Sequence, residues 1–395
     1  MNLVLKILIL HQHFKTPQTG GAIRSWYLAK GLVEQGHKPV VITSYNEKTY
    51  LHTTIDGIEV HYLPVAYDNA FDYYKRSVSF LRFVVQSIRV AAGIRDVDCI
   101  YAISVPLTIA FVARWVSFRK KVPYYFEVGD LWPDAPIQMG FIRNPLMKSM
   151  LYSLERSAYR KAEGVVALSP PIKDAILKKE PSAKVTMIPN MADCEFYKPG
   201  KKDPHAEQKL GVDGKFVVSY IGATGLANGL DYLLECAKGS SRAELPVHFI
   251  VCGTGALLER LKKNATSLGL QNITFTGFLD RDGVRGIMNV TDAVFVCYKD
   301  IPILETGSPN KFFDGLAAGK LIVINFGGWI KKEIEEKRCG ITISKTDPGD
   351  FTRKVRTFIT DPDLLSEYQM NSRKLAEQKF ERTILFKQWL SLFRN

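Results

Sequence analysis

Short apolar runs alternate with stretches of helical period along almost the whole chain. Residues 7–10, 39–43, 99–103, 124–127 and 164–168 read as strands. Residues 216–221, 247–252, 273–276, 293–297 and 321–325 repeat the pattern. Most of these runs are continuously apolar, as expected of strands covered on both faces. Between many of them apolar residues recur every three or four positions, as over 22–35, 146–161 and 257–268, which predicts amphipathic helices. Residues 3–10 are interrupted by Lys6 and read as a first buried strand. Residues 100–113 are too short to span a bilayer and read as a strand followed by a helix opened by Pro106. Such alternation predicts parallel sheets joined by crossover helices, and two series of it predict two Rossmann-like domains. The stretch Phe-Tyr-Lys-Pro-Gly-Lys-Lys-Asp-Pro from Phe196 to Pro204 has the composition of a linker. The expected domains are therefore 1–198 and 199–379. A helix over 380–395, apolar at 385, 386, 389, 390 and 393, is expected to pack back onto the first domain.

The segment from Glu305 to Lys320 changes this picture from architecture to chemistry. Ser308 is a good N-cap, Pro309 suits the first helical position, and Gly319 is placed to end the helix before the strand 321–325. A helix start offers unpaired N–H groups and a positive dipole end to an anion. Lys311 adds a full charge in the first turn, and Asp314, three residues on, shares its face. A cation for phosphate and a carboxylate for a ribose diol suit a nucleoside diphosphate. An exposed ion pair on an ordinary capped helix has the same spacing and is the competing reading.

The 395 residues carry a net charge of +13, with 46% hydrophobic and 24% charged residues, as in a globular protein with sizeable cores. Residues 73–121 hold nine Lys/Arg against two acids. Acidic substrates and anionic membranes fit such a balance. No nucleic-acid recognition motif accompanies it, so nucleic acid is not an expected partner. The cysteines at 99, 194, 236, 252, 297 and 339 form no CxxC pair, which argues against a zinc knuckle and fits a reduced cytoplasm. No export signal is visible.

Three glycine-bearing turns follow strand-like runs. His11-Gln12-His13-Phe14 leads to Gly20-Gly21. The second turn is Gly222-Ala223-Thr224-Gly225-Leu226-Ala227-Asn228-Gly229, and the third is Cys252-Gly253-Thr254-Gly255. Turns of this kind let backbone approach phosphate and point to ligand binding in a cleft between the domains. His11 and His13 lack the further ligands a metal pair needs. Asp280-Arg281-Asp282 resembles a metal-binding pair, but Asp280 sits where an N-cap belongs and Asp282 in the first turn after it. Asp130, in Glu-Val-Gly-Asp-Leu-Trp-Pro-Asp, follows a strand end, where a carboxylate faces a central cleft. It reads equally as a turn cap before Pro133.

Several of these strings together resemble one family. The second and third glycine turns and Ser-Pro-Asn-Lys-Phe-Phe-Asp-Gly-Leu-Ala-Ala-Gly-Lys are similar to the nucleotide-sugar half of retaining glycosyltransferases of GT-B fold, family four. Glu-Val-Gly-Asp-Leu-Trp-Pro-Asp, Ala-Leu-Ser-Pro-Pro-Ile-Lys and Ile-Pro-Asn-Met resemble its surface-polysaccharide branch, which includes N-acetyl-fucosamine transferases. The resemblance covers essentially the whole chain. It implies that Lys311 contacts the diphosphate and that Asp314 stands where the second glutamate of a Glu-x7-Glu motif binds ribose. Strict spacing puts the first glutamate at Thr306, and Glu305 lies one residue earlier. Gly129 replaces the family's histidine before Asp130. The usual basic residue of the second glycine loop is absent, with Asn228 nearby.

The expectation is a metal-independent retaining transferase moving a sugar, in the HexNAc class, from a UDP-sugar to a lipid-linked saccharide. Asp130, Lys311 and Glu305 are the expected catalytic residues. Gly21, Gly222, Thr224, Asn228, Gly253, Gly255, Thr306, Gly307, Ser308, Lys311 and Asp314 are expected around the donor. No cofactor or metal is expected. The location implied is cytoplasmic, at the inner face of the plasma membrane. Lys75, Arg82 and Arg89 recur at sevens beside Phe80, Leu81, Val84, Val85, Ile88 and Ala92, as on a helix lying on anionic lipid or one packed on the core. A GT-B UDP-sugar epimerase, a dinucleotide oxidoreductase and a non-catalytic assembly protein are the competing readings. The oxidoreductase is the weakest, since GxGxxG is missing from both halves.

Overall fold

The computed structural model describes residues 4–21, 23–68, 71 and 73–393. Leu3, Ala22, Arg394 and Asn395, which fall within expected elements, lie outside the described residues. The first sheet contains β1 (Lys6–Leu10), β2 (Lys38–Tyr45), β3 (Leu51–Ile55), β4 (Ile58–Pro64), β5 (Cys99–Ser104), β6 (Tyr124–Val128), β7 (Gly164–Ala167) and β8 (Val185–Met187). Its order is β3-β4-β2-β1-β5-β6-β7-β8, parallel throughout except for the antiparallel pair β3–β4. The second sheet contains β9 (Phe216–Ile221), β10 (Val247–Cys252), β11 (Ile273–Gly277), β12 (Ala293–Val296), β13 (Leu321–Ile324) and β14 (Gly340–Thr342). It is all parallel, in the order β11-β10-β9-β12-β13-β14. Both orders reverse beside the first strand of the unit, and ligands bind at such a switch point, off the carboxyl ends of the strands.

All ten expected strands are present within one or two residues of their predicted ends. Their apolar runs are buried on both faces: Leu8 pairs with Val40 on one side and Ile100 on the other, and all three are buried. The pattern gave no warning of β3, β4, β8 and β14. β3 is largely exposed, and β8 and β14 are three residues each. β3 and β4 turn through Asp56 and Gly57, both at positive φ (52° and 81°), the geometry of a tight hairpin.

The helix Arg382–Leu390 supplies Leu385, Trp389 and Leu390 to the core around the first sheet. Trp389 is fully buried, edge-to-face with Tyr101 at 4.9 Å and with Phe393 at 4.8 Å between centroids. The chain therefore passes from first sheet to second near residue 196 and returns near residue 381. At the second passage Ala192 bridges Glu381, and Ala192 N donates to Phe380 O at 2.7 Å.

Candidate active site in the cleft between the sheets

The helix Asn310–Ala317 starts one residue later than expected. Pro309 occupies the N-cap position and no side chain caps the helix. Ser308 is not a cap. Its hydroxyl accepts from Asn190 N at 3.2 Å, and its carbonyl accepts from the Asn190 amide, so it joins the second domain to the first. Turned toward Asn190, the hydroxyl takes no hydrogen bond from the N–H groups of its own helix. Gly319 ends the helix as expected, at φ +63°, with its N–H donating to Leu316 O at 3.0 Å.

Lys311 and Asp314 do not form the surface ion pair that their spacing allows. Lys311 Nζ lies 3.2 Å from the Tyr220 hydroxyl, 3.4 Å from Asn228 Oδ1 and 4.4 Å above the Tyr220 ring. No carboxylate pairs with it among the described residues. Burial lowers its pKa to about 8, a cation held without a neutralising partner. Asn228 ties the cation to its loop, since its Nδ2 donates to Ala223 O at 2.9 Å.

The two glycine loops beside Lys311 interlock through their backbones. Gly222 N donates to Cys252 O at 2.9 Å, and Thr224 N to Thr254 O at 3.0 Å. A Cβ on Gly253, at φ +135°, would lie 2.1 Å from Gly222 O. One on Gly255, at φ +155°, would lie 2.9 Å from Thr224 N. Only glycine permits both the approach and the dihedral. Thr224 is fully buried and its hydroxyl has no hydrogen-bond partner among the described residues.

Asp314 points into a cavity of about 50 Å³ shared with Gly21, Arg24, Tyr27, Asp193 and Arg281. Burial raises its carboxyl from 3.8 to about 7, with Arg281 opposing and Asp193 reinforcing the shift. A carboxyl whose native pKa is raised favours folding when protonated. Its contribution is complete below pH 4 and is lost as pH rises through 7. Asp314→Asn should therefore raise stability at pH 8 by about 2 kcal/mol, after discounting for partial exposure, and by only a small fraction of that at pH 4, where the folded carboxyl is protonated and the unfolded one largely so. Thermal unfolding at the two pH values checks this. An equal effect at both would mean that the carboxyl is ionised throughout.

The loop Glu305–Ser308 is anchored at each residue. Glu305 pairs with Lys345 at 2.6 Å, and a Cβ on Gly327 would lie 3.0 Å from its Oε2. The Thr306 hydroxyl is spent on Ile303 O at 2.7 Å, while its carbonyl accepts from Ser169 Oγ at 2.6 Å. Gly307 O accepts from Trp329 Nε1 at 2.9 Å.

Across the cleft, Asp130 follows β6. The residue is exposed, but the protein around its carboxyl withholds solvent and raises its pKa. It lies near Tyr298, whose phenol it helps push up and whose ring is 6.0 Å from Lys311 Nζ. His11 and His13 sit edge-to-face at 6.4 Å. Burial holds both neutral, at about 3 and about 4. His11 Nδ1 is 2.8 Å from Ser25 Oγ. Asp280 is the N-cap expected of it, accepting from Gly283 N at 2.8 Å, and Asp282 pairs with Arg285 at 2.8 Å.

Sequence reasoning missed Tyr220, Tyr298, Ser169 and Asn190, and the cluster in which Arg281 binds Asp193 and the Tyr27 hydroxyl. Arg281 also stacks 3.7 Å over Phe196. These contacts join residues far apart in the chain, several of them in different domains, and carry no local periodicity. Ser169 and Asn190 lie inside strings already singled out and Asp193 adjoins one of them, which was the available signal.

Residues 19–191 match the glycosyl transferase 4-like domain and residues 202–375 match glycosyl transferases group 1. The chain belongs to the GT-B glycosyltransferases. Among curated relatives, the alpha-D-kanosaminyltransferase of Streptomyces kanamyceticus is 22% identical over 61% of this chain, a match spanning 62% of that protein. A component of the phosphatidylinositol N-acetylglucosaminyltransferase of Arabidopsis thaliana is 22% identical over 93% of this chain and 77% of its own length. Among solved structures, Anabaena HepE in complex with UDP and glucose superposes with a TM-score of 0.72 at 19% identity, covering 99% of this chain and 100% of that one. The expected two-domain architecture is thus the observed one.

Proposed function

We propose that this glycosyltransferase is retaining, and that it transfers a sugar of the HexNAc class from a UDP-sugar to a lipid-linked glycan in surface-polysaccharide assembly. The observation that carries the donor reading is Lys311. It is a desolvated cation with no carboxylate partner among the described residues, on an uncapped helix start, against two backbone loops that only glycine can form. A diphosphate supplies the missing charge. The UDP-bound neighbour and the N-acetylglucosaminyl and phosphatidylinositol terms in the plant relative's name support the nucleotide, the sugar class and the lipid acceptor.

In this reading the bond from the anomeric carbon to the diphosphate breaks as the acceptor oxygen attacks from the same face. The acceptor proton passes to a diphosphate oxygen. Lys311, the loop amides and the helix start stabilise the charge that develops on the leaving group. Asp314 takes the ribose, Glu305 contacts the donor sugar from the 305–308 loop, and Asp130 orients the acceptor hydroxyl. With charge stabilised this way no metal is needed, and activity should survive EDTA within about twofold. The deciding experiment follows UDP release from a panel of UDP-sugars with a lipid-diphosphate acceptor. Acceptor-dependent release of UDP is expected. Conversion of the UDP-sugar without acceptor or UDP release would identify an epimerase instead.

The acceptor places the enzyme at the cytoplasmic face of a membrane. No helix among the described residues is long and apolar enough to cross one. The helix Tyr73–Gly93 divides the apolar residues first grouped on one face. Phe80 and Phe83 are buried and Val84 and Ile88 pack on the core, while Leu81 (62%) and Val85 (49%) are exposed beside Arg82 and Arg89. The neighbouring helix Ile109–Lys120 exposes Phe118 (81%), and the next, Pro145–Lys161, exposes Leu146 and Met150. Exposed apolar side chains among basic residues are the chemistry of an anionic bilayer surface. Vesicles containing anionic lipid should co-sediment the protein, and added salt should weaken this. Phe118→Ser with Leu81→Ser should reduce it at least tenfold. A folded double variant that binds as well as the parent places the membrane face elsewhere.

A further inference from the structure

The hairpin at the outer edge of the first sheet brings together three residues that the transferase reading does not use. His52 on β3 lies directly opposite His61 on β4, and Glu59 precedes His61 by two residues. Side chains alternate along a strand, so all three project from one face. Glu59 Oε1 lies 3.1 Å from Nε2 of each histidine, and one ligand atom from each residue falls within 4.8 Å of the others. The two imidazoles are stacked, with centroids 4.3 Å apart and planes within 5°. Behind them the Tyr50 hydroxyl is 2.6 Å from His61 Nδ1. His61 is buried, whereas His52 (51%) and Glu59 (37%) reach solvent.

We propose that His52, Glu59 and His61 form a binding site for a divalent d-block cation of the zinc type. Two imidazoles and one carboxylate are a donor set for such an ion, with a further position open to water on the exposed side. Magnesium and calcium require six or more oxygen ligands, which this face does not offer. Tyr50 meets the remaining demand, a partner on the far nitrogen that fixes the ring orientation. When His61 Nδ1–H donates to the Tyr50 oxygen, Nε2 keeps its lone pair for the ion. Both Nε2 lone pairs reach one ion once the exposed His52 ring turns about χ2. Without the ion, Nε2–H of each ring donates to Glu59, and the Tyr50 hydroxyl donates to His61 Nδ1 instead.

The placement gives the ion a structural task. β3 is an edge strand with little buried surface. A cation shared between β3 and β4 pins that edge where packing does not. His61 is level with Ile42 on β2, and Ile42 with Leu10 on β1, so the site lies at the cleft end of the sheet but two strands outside β1. It shares no residue with the donor site and does not depend on the donor reading.

Zinc chloride titrated into the metal-free full chain should bind one equivalent by calorimetry. Zinc should raise the unfolding temperature by roughly 5 °C at saturation, and magnesium should not. Cobalt(II) in its place should show visible bands of a four-coordinate ion. His52→Ala, at an exposed position, should weaken zinc binding at least 100-fold. Tyr50→Phe, which leaves all three ligands, should weaken it about 10- to 100-fold. Equal zinc affinity in the parent and a folded His52→Ala variant overturns the assignment, since another group such as His11 and His13 would then hold the ion. So does an absence of binding at 100 µM zinc. Should His52→Ala fail to fold, His52→Gln carries the same test.

Discussion

Lys311→Ala will weaken UDP binding by about 10- to 100-fold, with a loss of turnover at least as large. A charge-assisted contact to phosphate contributes ~1.5–3 kcal/mol, and alanine removes it without filling the space against Tyr220. The parent should carry a pH signature that the variant lacks. Because burial lowers this lysine to about 8, its charge is full near pH 7 and disappears as pH rises through 8. UDP affinity of the parent should fall over that interval, and binding there should be accompanied by proton uptake, since the bound anion restores the charged form. Calorimetry in buffers of different ionisation enthalpy measures both quantities. An unchanged affinity in Lys311→Ala would leave the buried cation without a role in binding and remove the main support for a nucleotide-sugar donor.

The largest stability effect is expected where the last helix returns to the first sheet. Trp389→Ala should cost about 3–5 kcal/mol, the range for deleting a fully buried aromatic side chain. The site cannot collapse easily, because Tyr101 and Phe393 meet the indole edge-on from two directions and the Tyr101 hydroxyl is held by Glu127. Arg24 fixes Glu127 in turn at 3.0 Å and also lines the cavity that contains Asp314. Scanning calorimetry should show the melting transition that includes the first sheet lowered by roughly 10 °C. A variant that melts within a degree or two of the parent would mean that the helix Arg382–Leu390 lies on the first domain without supporting it.

Much of this architecture could be read from the chain alone, because parallel strands buried on both faces leave continuous apolar runs and crossover helices leave a period near 3.6. Both signals fail for short or exposed elements. β14 is three residues long and begins with Gly340, and β3 alternates weakly on an open edge. The site was legible where one segment encodes it. Lys311 meets Gly222 and Asn228, and Gly253 meets Gly222, although they come from separate segments, each of which stood out by its own local pattern. Ser308 went wrong because its partner, Asn190, is 118 residues away. Tyr220 and Tyr298 look like core aromatics in the sequence, and only the fold turns them toward Lys311. The hairpin histidines were passed over because their pairing depends on a register that the weak β3 pattern did not announce.

The return passage of the chain has a consequence for biosynthesis. The core around the second sheet draws only on residues 192–380, so that unit can complete it as soon as Phe380 has left the ribosome. The unit around the first sheet, although translated earlier, must wait with an open seam beside Tyr101 until Trp389 emerges. Order of synthesis and order of completion are therefore inverted. During that interval the exposed seam is the surface most in need of a chaperone.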